Sequence, residues 1–144
     1  MFNKVQLAVL AVLLVCATTA RADYYIVVNA DNPQAALTSS EALNIYMGRS
    51  RAFSNGGLAV VFDLSRDSPK REGFYRALTG LSLAQITSYW ARLVFSGRTL
   101  PPQAVPDEAA MVRAVSHNAN ALGWLSSAPT DKALHTVLVL KEQM

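Results

Sequence analysis

Tyr24 to Val28 is a continuously apolar run, and Leu58 to Leu64, Ala121 to Leu125 and Thr136 to Leu140 are nearly so rather than alternating, with Asp63 and Thr136 as their only polar members. A strand with one wet face alternates apolar and polar residues, whereas a strand covered on both faces reads as an unbroken apolar run. Helical patterns separate the runs. Thr38 with Glu41 forms a capping-box pattern ahead of a helix from about Ser39 to Met47, with Leu37 and Ala42 as a weak hydrophobic staple and Gly48 as its left-handed stop. A second helix starts at Ser68, carries Phe74, Ala77 and Leu78 on one face, and ends at Gly80. Ser82 with Gln85 repeats the capping pattern before a longer helix, whose buried face is marked by Leu83, Ile86, Trp90, Leu93 and Val94 and which closes at Gly97. Pro101, Pro102 and Pro106 impose a stiff, extended connection. Asp107 and Glu108 supply the acidic first turn of a fourth helix, with Met111, Val112 and Val115 facing inward. Strands alternating with helices, all of the buried kind, predict one α/β domain whose largely parallel sheet is covered on both faces.

The chain opens with an export signal over residues 1–22. Lys4 is its charged start, Val5 to Val15 its apolar run, and Ala20-Arg21-Ala22 its small-x-small cleavage site. The apolar run is too short to span a bilayer. The expected mature chain is the domain over residues 23–144, exported to the periplasm or secreted, with no membrane insertion after cleavage. Cys16 is the only cysteine and falls inside the leader, so disulfide and thiolate chemistry are excluded afterwards. Removing Lys4 and Arg21 takes the formal charge from +3 to 3 − 2 = +1, a balance that calls for neither nucleic acid nor a membrane surface.

Chemistry concentrates at one junction, Asp63-Leu64-Ser65-Arg66-Asp67-Ser68-Pro69-Lys70-Arg71-Glu72-Gly73-Phe74, where an apolar strand runs into a helix start. The first-turn N–H groups of a helix lack internal partners and the dipole adds positive charge, so such a junction can hold an anion. Ser68 before Pro69 suits a cap followed by a first-turn proline. Lys70 and Arg71 are misplaced by the dipole rule, which prefers acids there. Two readings cover Arg66, Lys70, Arg71 and Arg76: a solvated helix face, or a patch for an anion or an acidic partner. Asn29 and Asn32 end the first strand, where they can either face a ligand or form a turn.

Other chemistries have no set of residues to carry them. His117 and His135 lack companion ligands at metal spacing. No Gly-x-Ser-x-Gly turn, paired-carboxylate pattern or Walker loop is present, and Gly56-Gly57 reads as a turn. The expectation is a protein without cofactor or metal that is not an enzyme.

The order of Val27-Val28-Asn29, Leu37-Thr38, Ile45-Tyr46-Met47-Gly48, Ser68 to Phe74, Trp90, Phe95-Ser96-Gly97, Pro101-Pro102 and Ala121-Leu122-Gly123-Trp124 resembles periplasmic phosphate-binding proteins of ABC transporters. It is most similar to their short, single-lobe, PBP-like members. The resemblance implies one lobe of the type II periplasmic-binding-protein fold, with ligand at the carboxyl ends of the strands and at helix N-termini, in keeping with the rule for open α/β sheets. It places the Ser68 junction on the family's phosphate loop, which reads Arg-x-Asp-x-Ser-Gly-Thr in full-length members. Here Leu64 stands at the arginine, Arg66 at the aspartate, Pro69 at the glycine and Lys70 at the threonine, so only the serine carries over. The resemblance implies phosphate or a similar oxyanion at Ser68, the junction's own charge adds Lys70, Arg71 and Arg66, the end of the first strand adds Asn29 as an expected contact, and a membrane transporter or sensor protein is the expected partner. The alternative is a periplasmic interaction or sensory module that no longer binds solute.

Overall fold

The computed structural model describes residues 22–142. Apart from Ala22, the expected leader lies outside them. The elements follow in the order β1 (Asp23–Asn29), α1 (Ser39–Tyr46), β2 (Val60–Leu64), α2 (Lys70–Thr79), α3 (Leu83–Phe95), β3 (Gln103–Val105), α4 (Glu108–Ser116), β4 (Ala121–Leu125) and β5 (Leu134–Lys141). The strands form one sheet in the order β3-β2-β4-β1-β5. β2 pairs parallel with both β3 and β4, while β1 pairs antiparallel with both β4 and β5. Four of the five strands therefore point the same way, as expected for a largely parallel sheet, and β1 alone runs against them.

Sequence chemistry explains the element ends. The Thr38 hydroxyl accepts from the Glu41 amide at 3.1 Å, and Ser82 with Gln85 completes a reciprocal capping box. Asp107 caps α4 by accepting from the Ala110 amide at 2.8 Å. Gly80 ends α2 in the left-handed conformation, with φ 75°.

The two faces of the sheet are covered differently. On the face carrying Trp124, the side chains of α1 and α2 build an aromatic core. Phe74 stacks on Trp124 with centroids 4.2 Å apart and planes within 3°. Tyr24, Tyr46 and Tyr75 meet Phe74 edge-on at 6.1, 5.2 and 5.0 Å. On the opposite face Gly123 lets α4 lie directly on the sheet, since a Cβ there would meet Met111 Sδ at 2.6 Å and Val115 Cγ2 at 2.9 Å.

Gly73 plays the corresponding part for α2. A Cβ on it would lie 1.9 Å from the Tyr24 hydroxyl and 3.0 Å from the ring carbon that bears it. Gly73→Ala gains about 1 kcal/mol of helix propensity, but a contact of 1.9 Å puts its overpacking cost toward the upper end of about 1–3 kcal/mol, so the net effect is destabilising. Tyr24→Phe removes the offending oxygen. Urea denaturation should show the alanine costing less in the Tyr24→Phe background than in the wild type; equal costs would show that the Tyr24 contact does not set the requirement for glycine.

Candidate functional site

Asp63 sits inside β2 and is buried, which a carboxylate tolerates only when its lone pairs are taken. Four donors take them. Oδ1 accepts from the Leu64 amide at 2.7 Å and from the Trp124 indole N–H at 3.0 Å. Oδ2 accepts from the Tyr75 hydroxyl at 2.7 Å and from Arg71 Nε at 3.0 Å. Arg71 also lies over the Tyr75 ring, with its guanidinium carbon 5.3 Å from the centroid. Burial first, and then the neighbouring Asp63 charge, push the Tyr75 hydroxyl well above its ordinary range, so it stays protonated as the donor.

Next to Arg71 in the chain, Lys70 reaches across to α4. Its Nζ pairs with Glu108 Oε2 at 2.5 Å. The same carboxylate accepts from the Ser126 hydroxyl at 2.9 Å and from the Ser126 amide, just past the end of β4. Partial burial alone would raise the Glu108 pKa, but the bonds from Lys70 and Ser126 outweigh it and hold the carboxyl below the ordinary glutamate value. Glu108 is therefore ionised at neutral pH, and a carboxylate already rests where the entrances of α2 and α4 converge.

The expected site residues separate into two groups. Ser68, Arg66, Lys70 and Arg71 gather at the carboxyl end of β2. α2 begins at Lys70, two residues later than expected, after Pro69 in helical conformation without a side-chain cap bond. The Ser68 hydroxyl accepts from the Lys70 amide at 3.4 Å, and the Ser68 carbonyl accepts from the Arg71 amide at 3.3 Å. Of the three cations, only Arg66 is exposed without an ion-pair partner among the described residues.

Asn29 does not join this group. Val28 pairs with Leu122, and Leu122 with Val61, so Asn29 is level with the start of β2 rather than its end. Because β1 runs against β2, Asn29 lies four residues from Leu64 along the strand direction, about 13 Å at the strand rise. Its side chain is consumed locally: Nδ2 donates to the Val115 and Ser116 carbonyls at 2.9 and 3.0 Å, and Oδ1 accepts from the Asp31 amide at 2.9 Å. Asn29 is a structural tie from β1 to the end of α4, which corrects the expectation that it binds ligand with Ser68.

Three residues central to this end of the sheet were not among the expected ligands. For Asp63 a signal existed, since a lone acid within the apolar run Val60 to Leu64 must find partners. Glu108 and Ser126 carried none, because their meeting with Lys70 depends on how distant elements close. Among the described residues no group of three His, Cys, Asp or Glu side chains gathers where it could hold a metal. Also among the described residues, no helix is long and apolar enough to cross a membrane.

No family model and no curated protein matches the chain in sequence. Its structure matches that of a protein assigned as a phosphate ABC transporter substrate-binding protein, with bound phosphate, from Clostridium perfringens. The two share a TM-score of 0.65 and 20% identity over 82% of this chain and 45% of the other. An ABC-type phosphate transport receptor from Vibrio cholerae gives a TM-score of 0.64 and 23% identity, over 82% of this chain and 46% of the receptor. The chain has their fold. A candidate phosphate-binding protein from Planctomyces limnophilus agrees, with a TM-score of 0.60 and 17% identity over 82% and 41% of the two chains. The chain spans less than half the length of each of these proteins.

Proposed function

We propose that this chain is an exported, non-enzymatic solute-binding lobe that recognises an oxyanion, phosphate first, at the entrance of α2, and that it serves a membrane transporter. The observation that carries this reading is the convergence of Lys70, Ser68 and Ser126 at the carboxyl edge of a sheet shared with proteins described as phosphate-binding. Ser68 and Arg66 face an incoming anion directly. Lys70 joins them when it exchanges the Glu108 carboxylate for the ligand, while Arg71 stays with Asp63 and holds the helix in place.

Calorimetric titration with phosphate and with sulfate tests this reading. Wild type is expected to bind weakly, because the ligand must displace a resident carboxylate. Glu108→Gln keeps a polar side chain beside Ser126 and frees the Lys70 charge, so phosphate affinity should rise roughly three- to tenfold. Lys70→Ala in that background should remove the gain. Absence of heat and of thermal stabilisation at millimolar phosphate in both wild type and Glu108→Gln would refute the anion site. The paired state of Lys70 and Arg71 favours a second reading, an interaction module without solute, which that outcome would support.

A further inference from the structure

A cavity of about 440 Å³ lies on the Trp124 side of the sheet, beside the first half of β2 and away from the α2 entrance. Small-molecule sites typically enclose about 300–1,000 Å³. Apolar side chains, Ile45, Val61, Trp90 and Pro101 among them, make up most of its walls, with Ser50, Thr99 and Gln103 also in the lining, and Leu58 and Leu100 at its edge are 66% and 81% exposed. Of the five large apolar side chains left exposed among the described residues, Leu58 and Leu100 lie together at this one hollow.

A further observation bears on what fills it: the charge of the stretches that line the hollow is one-sided. No acid occurs between Glu41 and Asp63 or between Glu72 and Asp107, the two stretches that supply the whole lining. Those stretches instead carry Arg49, Arg51, Arg92 and Arg98, all exposed and without ion-pair partners among the described residues. Arg51 itself lines the cavity, and its Nη2 donates only to the Arg98 carbonyl, at 3.2 Å.

We infer that this cavity binds a small amphipathic anion, with its apolar body against Trp90, Leu58 and Leu100 and its acidic head at Arg51. The site is independent of the oxyanion site. The apolar part of the walls supplies the area that is removed from water, and Arg51, with no carboxylate in the lining, selects a charged head over a neutral one.

Decanoate serves as the probe and decanol as its neutral counterpart. The chain has two tryptophans, and the Trp124 indole N–H is held by Asp63, so the two indole signals in a ¹⁵N–¹H spectrum report different places. Decanoate should shift the Trp90 signal saturably and leave that of Trp124 in place. Arg51→Glu and Leu58→Glu change exposed side chains and should each weaken the response about tenfold. No saturable shift at Trp90 overturns the inference. Equal responses to decanoate and decanol, or an unchanged response in Arg51→Glu, also overturn it and mark the hollow as an apolar seat for a neutral lipid or a partner's side chain. A Leu58→Glu variant that binds as wild type does would place the ligand elsewhere and count against it equally.

Discussion

Asp63→Ala should destabilise the protein by about 3–5 kcal/mol, the range found when one partner of a buried ion pair is removed. The loss is not the strength of one salt bridge. Arg71, with a side chain 13% exposed, would keep its charge and lose its counterion. The Tyr75 hydroxyl and the Trp124 N–H would lose their acceptor in the same step. Asp63→Asn should fall between the two, because an amide oxygen can still accept from Leu64 and Trp124 but cannot neutralise Arg71. Urea denaturation gives the answer through the midpoint at constant slope. A loss below about 1 kcal/mol for the alanine variant would show that the network is replaceable, as a weakly coupled surface pair is.

Phe74→Ala should cost a similar amount, about 3–5 kcal/mol, for a different reason. The side chain is fully buried, and its ring is the one that Trp124, Tyr24, Tyr46 and Tyr75 all touch. Its removal leaves a cavity that four rigid rings cannot collapse to fill. Thermal unfolding and near-ultraviolet circular dichroism together test this: the midpoint should fall and the aromatic signal should weaken. A lowered midpoint with an unchanged aromatic signal would mean that the rings do not depend on Phe74 for their order. Asp63 and Phe74 share Tyr75 and Trp124 as neighbours, so the double variant should lose less than the sum of the two single losses.

Local chemistry made much of this fold readable. The Ser82–Gln85 capping box forms as its spacing requires, and Gly80 stops α2 in the left-handed conformation that a glycine there signals. The direction of β1 was not readable, because an apolar run reports burial on both faces and says nothing about which way a strand points. β3 escaped for the opposite reason. It is three residues long, with Gln103 and Ala104 exposed, and an edge strand of that kind has no apolar run to betray it. The run from Leu58 overshoots β2 by two residues, since Leu58 leaves the ladder to bridge Ala52. At the candidate site the sequence located the α2 entrance and its excess of cations. It could not reveal that Glu108 and Asp63 neutralise two of them, because one acid comes from a later helix and the other from inside a strand.

The reversed strand has a consequence for the order in which the sheet can be assembled. β1 lies between β4 and β5, so each of its ladder bonds joins the first described strand to one of the last two: Val27 with Gly123, Asp23 with Lys141. Closing such long loops costs entropy that nearer pairings do not, and chains dominated by distant contacts fold slowly. β2 and β3, by contrast, are joined through α2 and α3 without help from either terminus. Until residues beyond Asn120 are available, the segment from Tyr24 to Val28 has no strand to pair with. Its five consecutive apolar side chains remain open for that time to any other strand edge they meet.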